Sequence, residues 1–182
     1  MRTTKRPAPT SPLRRAAFLP ILRPKTGPAM ISLTRTTSDN PDFRALVALL
    51  DHDLAVRDGA DHAYYAQFNK VDAIRHVVVA YADGAGVGCG AFKEYSPTEV
   101  EVKRMFVPEA RRGQGIAGLV LAELERWATE LGYAAAVLET GKKQPEAIRL
   151  YEKNGYAHIP NYGQYVGIDN SVCFRKTLTG RE

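Results

Sequence analysis

The stretch RRGQGIAG (111–118) limits the fold more than any other feature of the chain. Its glycines, Gly113, Gly115 and Gly118, stand between a run that alternates apolar and polar residues, TEVEVKRMFV (98–107), and an apolar stripe with helical period. The stripe (Ile116, Leu119, Val120, Leu124, Trp127, Leu131) predicts a helix from about Gly115 to Leu131. Glycines at a helix start let backbone N–H groups approach an anion at the positive end of the helix dipole. Arg111 and Arg112 add charge at the same end. The unit is therefore a strand, a loop and a helix built to hold a polyanion, most simply a pyrophosphate. The G-x-G-x-x-G spacing, with Glu139 about 20 residues further on, also satisfies the dinucleotide fingerprint. Its context does not fit. Five residues, 108–112, separate the strand from Gly113, that strand closes an antiparallel run, and only one more strand–helix unit follows.

The rest of the chain reads as alternating short elements. MISLTRTT (30–37) alternates and predicts a strand. Asn40-Pro41 is a helix start, and Phe43, Leu46, Val47, Leu50 and Leu54 then recur at helical spacing to Arg57. A short second helix is expected over 61–68. HVVVAYADGAGVGCGAFKEY (76–95) predicts two strands around Asp83-Gly84. AAAVLET (134–140) predicts a buried strand, Pro145 opens a helix that Asn154-Gly155 closes, and SVCFRKTL (171–178) predicts the last strand. The order β-α-α-β-β-β-α-β-α-β implies an α/β fold with a mixed, mostly antiparallel central sheet and helices on both faces.

Residues 1–29 differ in kind. They hold seven basic residues, no acid and six prolines, so the remainder carries −2 of the formal total of +5. This stretch is expected to be disordered. It reads either as an arginine-rich transit peptide or as sequence upstream of a true start at Met30. Residues 30–182 are expected to form one domain. A near-neutral domain gives no reason to expect a nucleic-acid partner. No run of 18 apolar residues suggests a membrane span. Cys89 and Cys173 both fall in predicted strands, as small buried thiols in a reducing cytoplasm would. The histidines have no metal-like spacing, and no metal is expected.

MFVPEARRGQGIAGLVLAELERWA resembles the acetyl-coenzyme A loop of the GCN5-related N-acetyltransferases, the GNAT family. The family's Q/R-x-x-G-x-G/A is matched by Arg112, Gly115 and Ala117. AIRLYEKNGY (147–156) resembles the family's second signature helix, and the element order agrees from about residue 31 to 178. The resemblance implies a GNAT acyl-CoA N-acyltransferase fold and an enzyme that moves an acetyl group from acetyl-CoA to an amine. It places the cofactor's pyrophosphate on Arg111, Arg112, Gly113, Gln114, Gly115, Ile116 and Ala117. It places the pantetheine arm on Met105, Phe106 and Val107, which requires the strands on either side of that site to splay.

The chemistry of amide formation asks for further groups. An oxyanion needs a donor, for which the backbone N–H near Phe106 or Val107 is suited. The amine must lose a proton to a carboxylate, directly or through water. Glu99, Glu101 and Lys103 share one strand face, and Glu101 lies six residues before Val107, where a branch of the family keeps its catalytic glutamate. Glu101 is the first candidate base and Glu139 the second, against the alternative of an ordinary solvated sheet face. Tyr151 matches the family's general-acid tyrosine; the alternative is a core aromatic. Gln144 stands where relatives carry a cofactor-contacting asparagine, and Lys142 and Lys143 precede it. Tyr162 and Tyr165 in IPNYGQYVG (159–167) are candidates for the acceptor wall, with Glu139. Asp51, Asp53 and His62 are candidates for its other side, where acids would favour a cationic amine. The acceptor is expected to be a small-molecule amine; protein lysines or N-termini, and a non-catalytic acyl-CoA sensor, are the alternatives. Dimers are common in the family it resembles, so a homodimer is one assembly the resemblance leaves open; the residues themselves do not fix the oligomeric state.

Overall fold

The computed structural model describes residues 30–59 and 74–178; the expected helix over 61–68, His62 and the basic stretch 1–29 lie outside the described residues. One seven-stranded sheet organises the rest, in the order β1-β2-β3-β4-β5-β7-β6. The strands are β1 (Ser32–Thr36), β2 (His76–Ala82), β3 (Ala85–Ser96), β4 (Glu99–Phe106), β5 (Ala135–Gly141), β6 (Ala157–Ile159) and β7 (Ser171–Thr177). Among the described residues only β4 and β5 pair in parallel; the other neighbours there are antiparallel. The helices are α1 (Pro41–Asp58), α2 (Ile116–Glu130) and α3 (Pro145–Lys153).

Local chemistry explains where these elements begin. Asn40 caps α1, its Oδ1 accepting from the Phe43 N–H at 2.9 Å, and Pro41 takes the first helical position, where no N–H is needed. β2 and β3 meet at a two-residue turn in which Asp83 and Gly84 both have positive φ, as a tight hairpin requires. β6, which the sequence reading lacks, is a three-residue strand at the sheet edge, paired with β7.

The two faces carry separate cores. α1 places Phe43, Leu46, Val47 and Leu50 against Val77, Val79, Cys89 and Phe106. α2 places Ile116, Val120, Leu121, Leu124 and Ala128 against Val78, Phe92, Val100 and Val102 on the other face. Val77, Val78 and Val79 are all fully buried, because β2 is covered on both sides. The expected stripe on α2 is rotated. Leu121 and Ala128 are in, while Leu119 and Leu131 are about half exposed, at 46% and 49%. The helix seats closely at Gly90, where a Cβ would meet Val120 and Leu124 at 2.9 Å.

β4 carries the irregularity that shapes the site. Between Lys103 and Phe106 it holds one residue more than β3 does between Cys89 and Ala91. Arg104 takes the left-handed conformation there, with φ 58°. The extra residue reverses the alternation: Val102, Met105 and Val107 face α2, and Phe106 faces α1. β4 then parts from β5, pairing with it only from Glu99↔Ala135 to Glu101↔Val137.

Candidate active site

Beyond Glu101 and Val137 the sheet is open, and a cavity of about 360 Å³ occupies the opening. Its walls come from both faces. Leu50 and Leu54 of α1 contribute from one side, and the α2 N-terminus with Leu150 and Tyr151 of α3 from the other. A ligand in this cavity therefore reaches through the sheet.

The loop end is built for an anion. Gly113 and Gly115 both have positive φ, 76° and 78°, which favours glycine, and Gly115 caps α2 without a side-chain hydrogen bond. Gly118 lines the cavity, and a Cβ placed on it would meet nothing within 4 Å. A dinucleotide fingerprint uses its third glycine for tight helix–strand packing. Gly118 instead borders open space, which a bound group can fill. Arg111 lies on the wall. Arg112 is committed to the fold: its Nε donates to the Val107 carbonyl at 3.0 Å and its Nη2 lies 3.3 Å from Asp53. Of the loop residues expected to contact the cofactor, all but Gln114 line the cavity. Met105, Phe106 and Val107 line it too, on the stretch of β4 that has no β5 partner. Gln144 also borders it and forms the N-cap position of α3.

The residues fit a coenzyme A thioester. Uncapped amides and an arginine suit a diphosphate, an unpaired strand edge suits an amide-bearing arm, and the open Gly118 face leaves room for both.

At the other end, Lys103, Glu139 and Tyr165 line the cavity. The Ser171 hydroxyl donates to Glu139 Oε1 at 2.6 Å. Lys103 Nζ donates to the Tyr165 hydroxyl at 3.0 Å and lies 3.1 Å from Glu101 Oε1. Burial pulls the Lys103 ammonium below its ordinary pKa, with Glu101 opposing the shift. Tyr151 is buried on the wall, its ring edge-on to Tyr156 and tilted against Phe174. Burial, then the charge of Glu139, raises its pKa, so the hydroxyl stays protonated beyond the usual phenol range.

Glu101 stands beside Lys103 on β4. It is not on a solvated face, being 2% exposed, and it is not among the residues that line the cavity. Lys103 and Lys93 flank it at 3.1 and 3.3 Å, and the Tyr162 hydroxyl donates to it at 3.2 Å. Tyr162 is likewise off the wall, edge-on to Tyr165 and Tyr95. Asp51 and Asp53 are engaged by arginines, Asp51 by Arg104 at 2.7 Å and Asp53 by Arg57 and Arg112 at 3.3 Å. Lys103, Arg104 and Thr140 are wall residues that sequence reasoning did not single out. The alternation of β4 placed Lys103 beside Glu101, and that was the available signal.

Known proteins share this fold. Residues 41–156 match the acetyltransferase (GNAT) family model. The chain is 40% identical over 102 residues to an IAA acetyltransferase of Azospirillum brasilense, covering 56% of this chain and 67% of that protein. It is 32% identical over 117 residues to an acetyltransferase of Agrobacterium fabrum, covering 64% of this chain and 84% of that protein. A solved Klebsiella pneumoniae structure described as an acyl-CoA N-acyltransferase superposes with a TM-score of 0.69 at 28% identity, over 82% of this chain and 99% of that one. The chain belongs to the acetyltransferase (GNAT) family and is an acyltransferase enzyme.

Proposed function

We propose that the protein transfers the acetyl group of acetyl-CoA directly to a small-molecule primary amine, with both substrates held at once in the cavity that crosses the sheet. The cofactor supplies an acetyl thioester; the remaining tasks fall to the chain. The amides of Gly113 to Ala117, with Arg111, bind the diphosphate. The free edge of Met105, Phe106 and Val107 aligns the arm, and a backbone N–H there faces the charge that develops on the acetyl oxygen. Glu139 takes the proton that the acceptor ammonium must lose, directly or through one water. Ser171, donating to one oxygen of Glu139, fixes the carboxylate's orientation. Tyr151 holds a proton for the leaving sulfur, and its burial keeps that proton in place at neutral pH. Glu101, held by two lysines and Tyr162, acts as the support that positions Lys103 rather than as the base.

The observation that carries this reading is the parting of β4 from β5, with the glycine loop at one end of the resulting cavity and Glu139 at the other. It is tested by free-thiol release from acetyl-CoA over a panel of amines, with the N-acetyl product identified by mass. Amine-dependent release is expected, falling about a hundredfold in Glu139→Gln. Coenzyme binding without release for any amine would instead support a sensor.

A further inference from the structure

The acceptor end of the cavity gathers two ammonium groups and two carboxylates. Two ammonium groups, Lys93 and Lys103, share the single carboxylate of Glu101, at 3.3 and 3.1 Å. Lys93 is half exposed and is compensated by solvent, whereas the Lys103 side chain is 12% exposed and lines the cavity. A desolvated ammonium that shares its counterion is stabilised by a second anion, and the charge of Glu139 already acts on Lys103 in that sense. The acids of α1 suited to a polycation are already paired with arginines: Asp51 with Arg104, Asp53 with Arg57 and Arg112. Glu139 is a second carboxylate on this part of the wall, so a cation and an anion stand side by side there, and a ligand that carries both charges matches them.

The positions of Lys103 and Glu139 are related. The last parallel pair is Glu101↔Val137, and each of the two residues lies two positions beyond it, on the same face, where the strands part. One cationic and one anionic group thus face the same opening from opposite strands. We infer that the acceptor is a primary amine that also carries a carboxylate, as an α-amino acid does, and that Lys103 binds that carboxylate while the amine lies toward Glu139. This inference rests on the acetyl-transfer reading above and names its substrate class.

The test compares matched pairs on the wild-type enzyme: α-amino acids, their α-amides, and spermidine as a polycation. A charge-assisted hydrogen bond predicts a kcat/KM for each acid about tenfold or more above its amide, with spermidine the poorest acceptor. Lys103→Met, with its fold checked by thermal unfolding and coenzyme binding, is expected to lower kcat/KM for the acid at least tenfold more than for the amide, mostly through KM, and Lys103→Arg to recover part of that loss. Amides or spermidine accepted as well as the acids, or an acid preference that survives in Lys103→Met, would overturn the inference while leaving acetyl transfer standing. No thiol release with any of the three classes or with other amines would overturn the acetyl-transfer reading itself.

Discussion

Arg104 Nη1 donates to Asp51 Oδ1 at 2.7 Å and so joins the bulge of β4 to α1. Arg104 is buried and has φ 58°, a conformation that non-glycine residues avoid unless the surroundings impose it. The bulge in turn presents Met105, Phe106 and Val107 to the cavity. Asp51→Asn removes the ionic part of this tie. Because Asp51 is 47% exposed, the expected loss is modest, about 1 kcal/mol by chemical denaturation. The more telling readout is KM for acetyl-CoA, which should rise as the strand edge loosens; an unchanged KM would mean that the bulge holds its shape without α1.

Gly118 should separate stability from binding. An added methyl meets nothing within 4 Å, and alanine is the better helix former. Gly118→Ala should therefore raise stability by up to about 1 kcal/mol. The same methyl projects into the cavity, so coenzyme affinity should fall. Thermal unfolding and calorimetry on one preparation measure both, and a variant that is more stable and binds equally well would show that the α2 start does not touch the coenzyme.

Tyr151→Phe keeps the ring contacts with Tyr156 and Phe174 and deletes only the hydroxyl. Coenzyme binding should persist while kcat drops tenfold or more, on the order expected for loss of a general acid. Full turnover in this variant would return Tyr151 to the hydrophobic core, where its burial alone also fits.

His76 gives a pH prediction independent of the active site. It stacks on Phe92 at 4.5 Å, and burial, then Arg75, lowers its pKa below 6.5. The unfolded chain therefore binds a proton at this site before the folded one does. Stability present above about pH 6.5 is lost as pH falls through that window, at no more than about 1.4 kcal/mol per pH unit. His76→Phe preserves the stack and should flatten the pH 5–7 dependence of denaturation relative to wild type.

The sequence was most legible where short-range chemistry decides. Asn40-Pro41, Asp83-Gly84 and the Gly113–Gly115 loop each act within a few residues, and each element starts or turns where the residue types require. β6 escaped because three residues at a sheet edge carry no readable alternation. The rotated face of α2 followed from where the helix seats on Gly90, a tertiary fact. The bulge at Arg104 escaped for a related reason: nothing local marks an arginine for positive φ. The pairings that redefined the acceptor end, Asp51 with Arg104 and Glu101 with Lys93 and Tyr162, link residues whose meeting only the folded sheet determines. So the polyanion loop was readable, and the charge pattern opposite it was not.

Titrating coenzyme A calorimetrically into wild type and Gly115→Val asks whether the glycine loop and the parted strands together receive the coenzyme. Valine cannot hold the left-handed φ of 78° or leave the loop amides open. Wild type should bind the coenzyme, and the variant, still folded, should lose at least about tenfold in affinity. No heat with wild type, or equal affinity in the folded variant, would contradict this placement of the coenzyme.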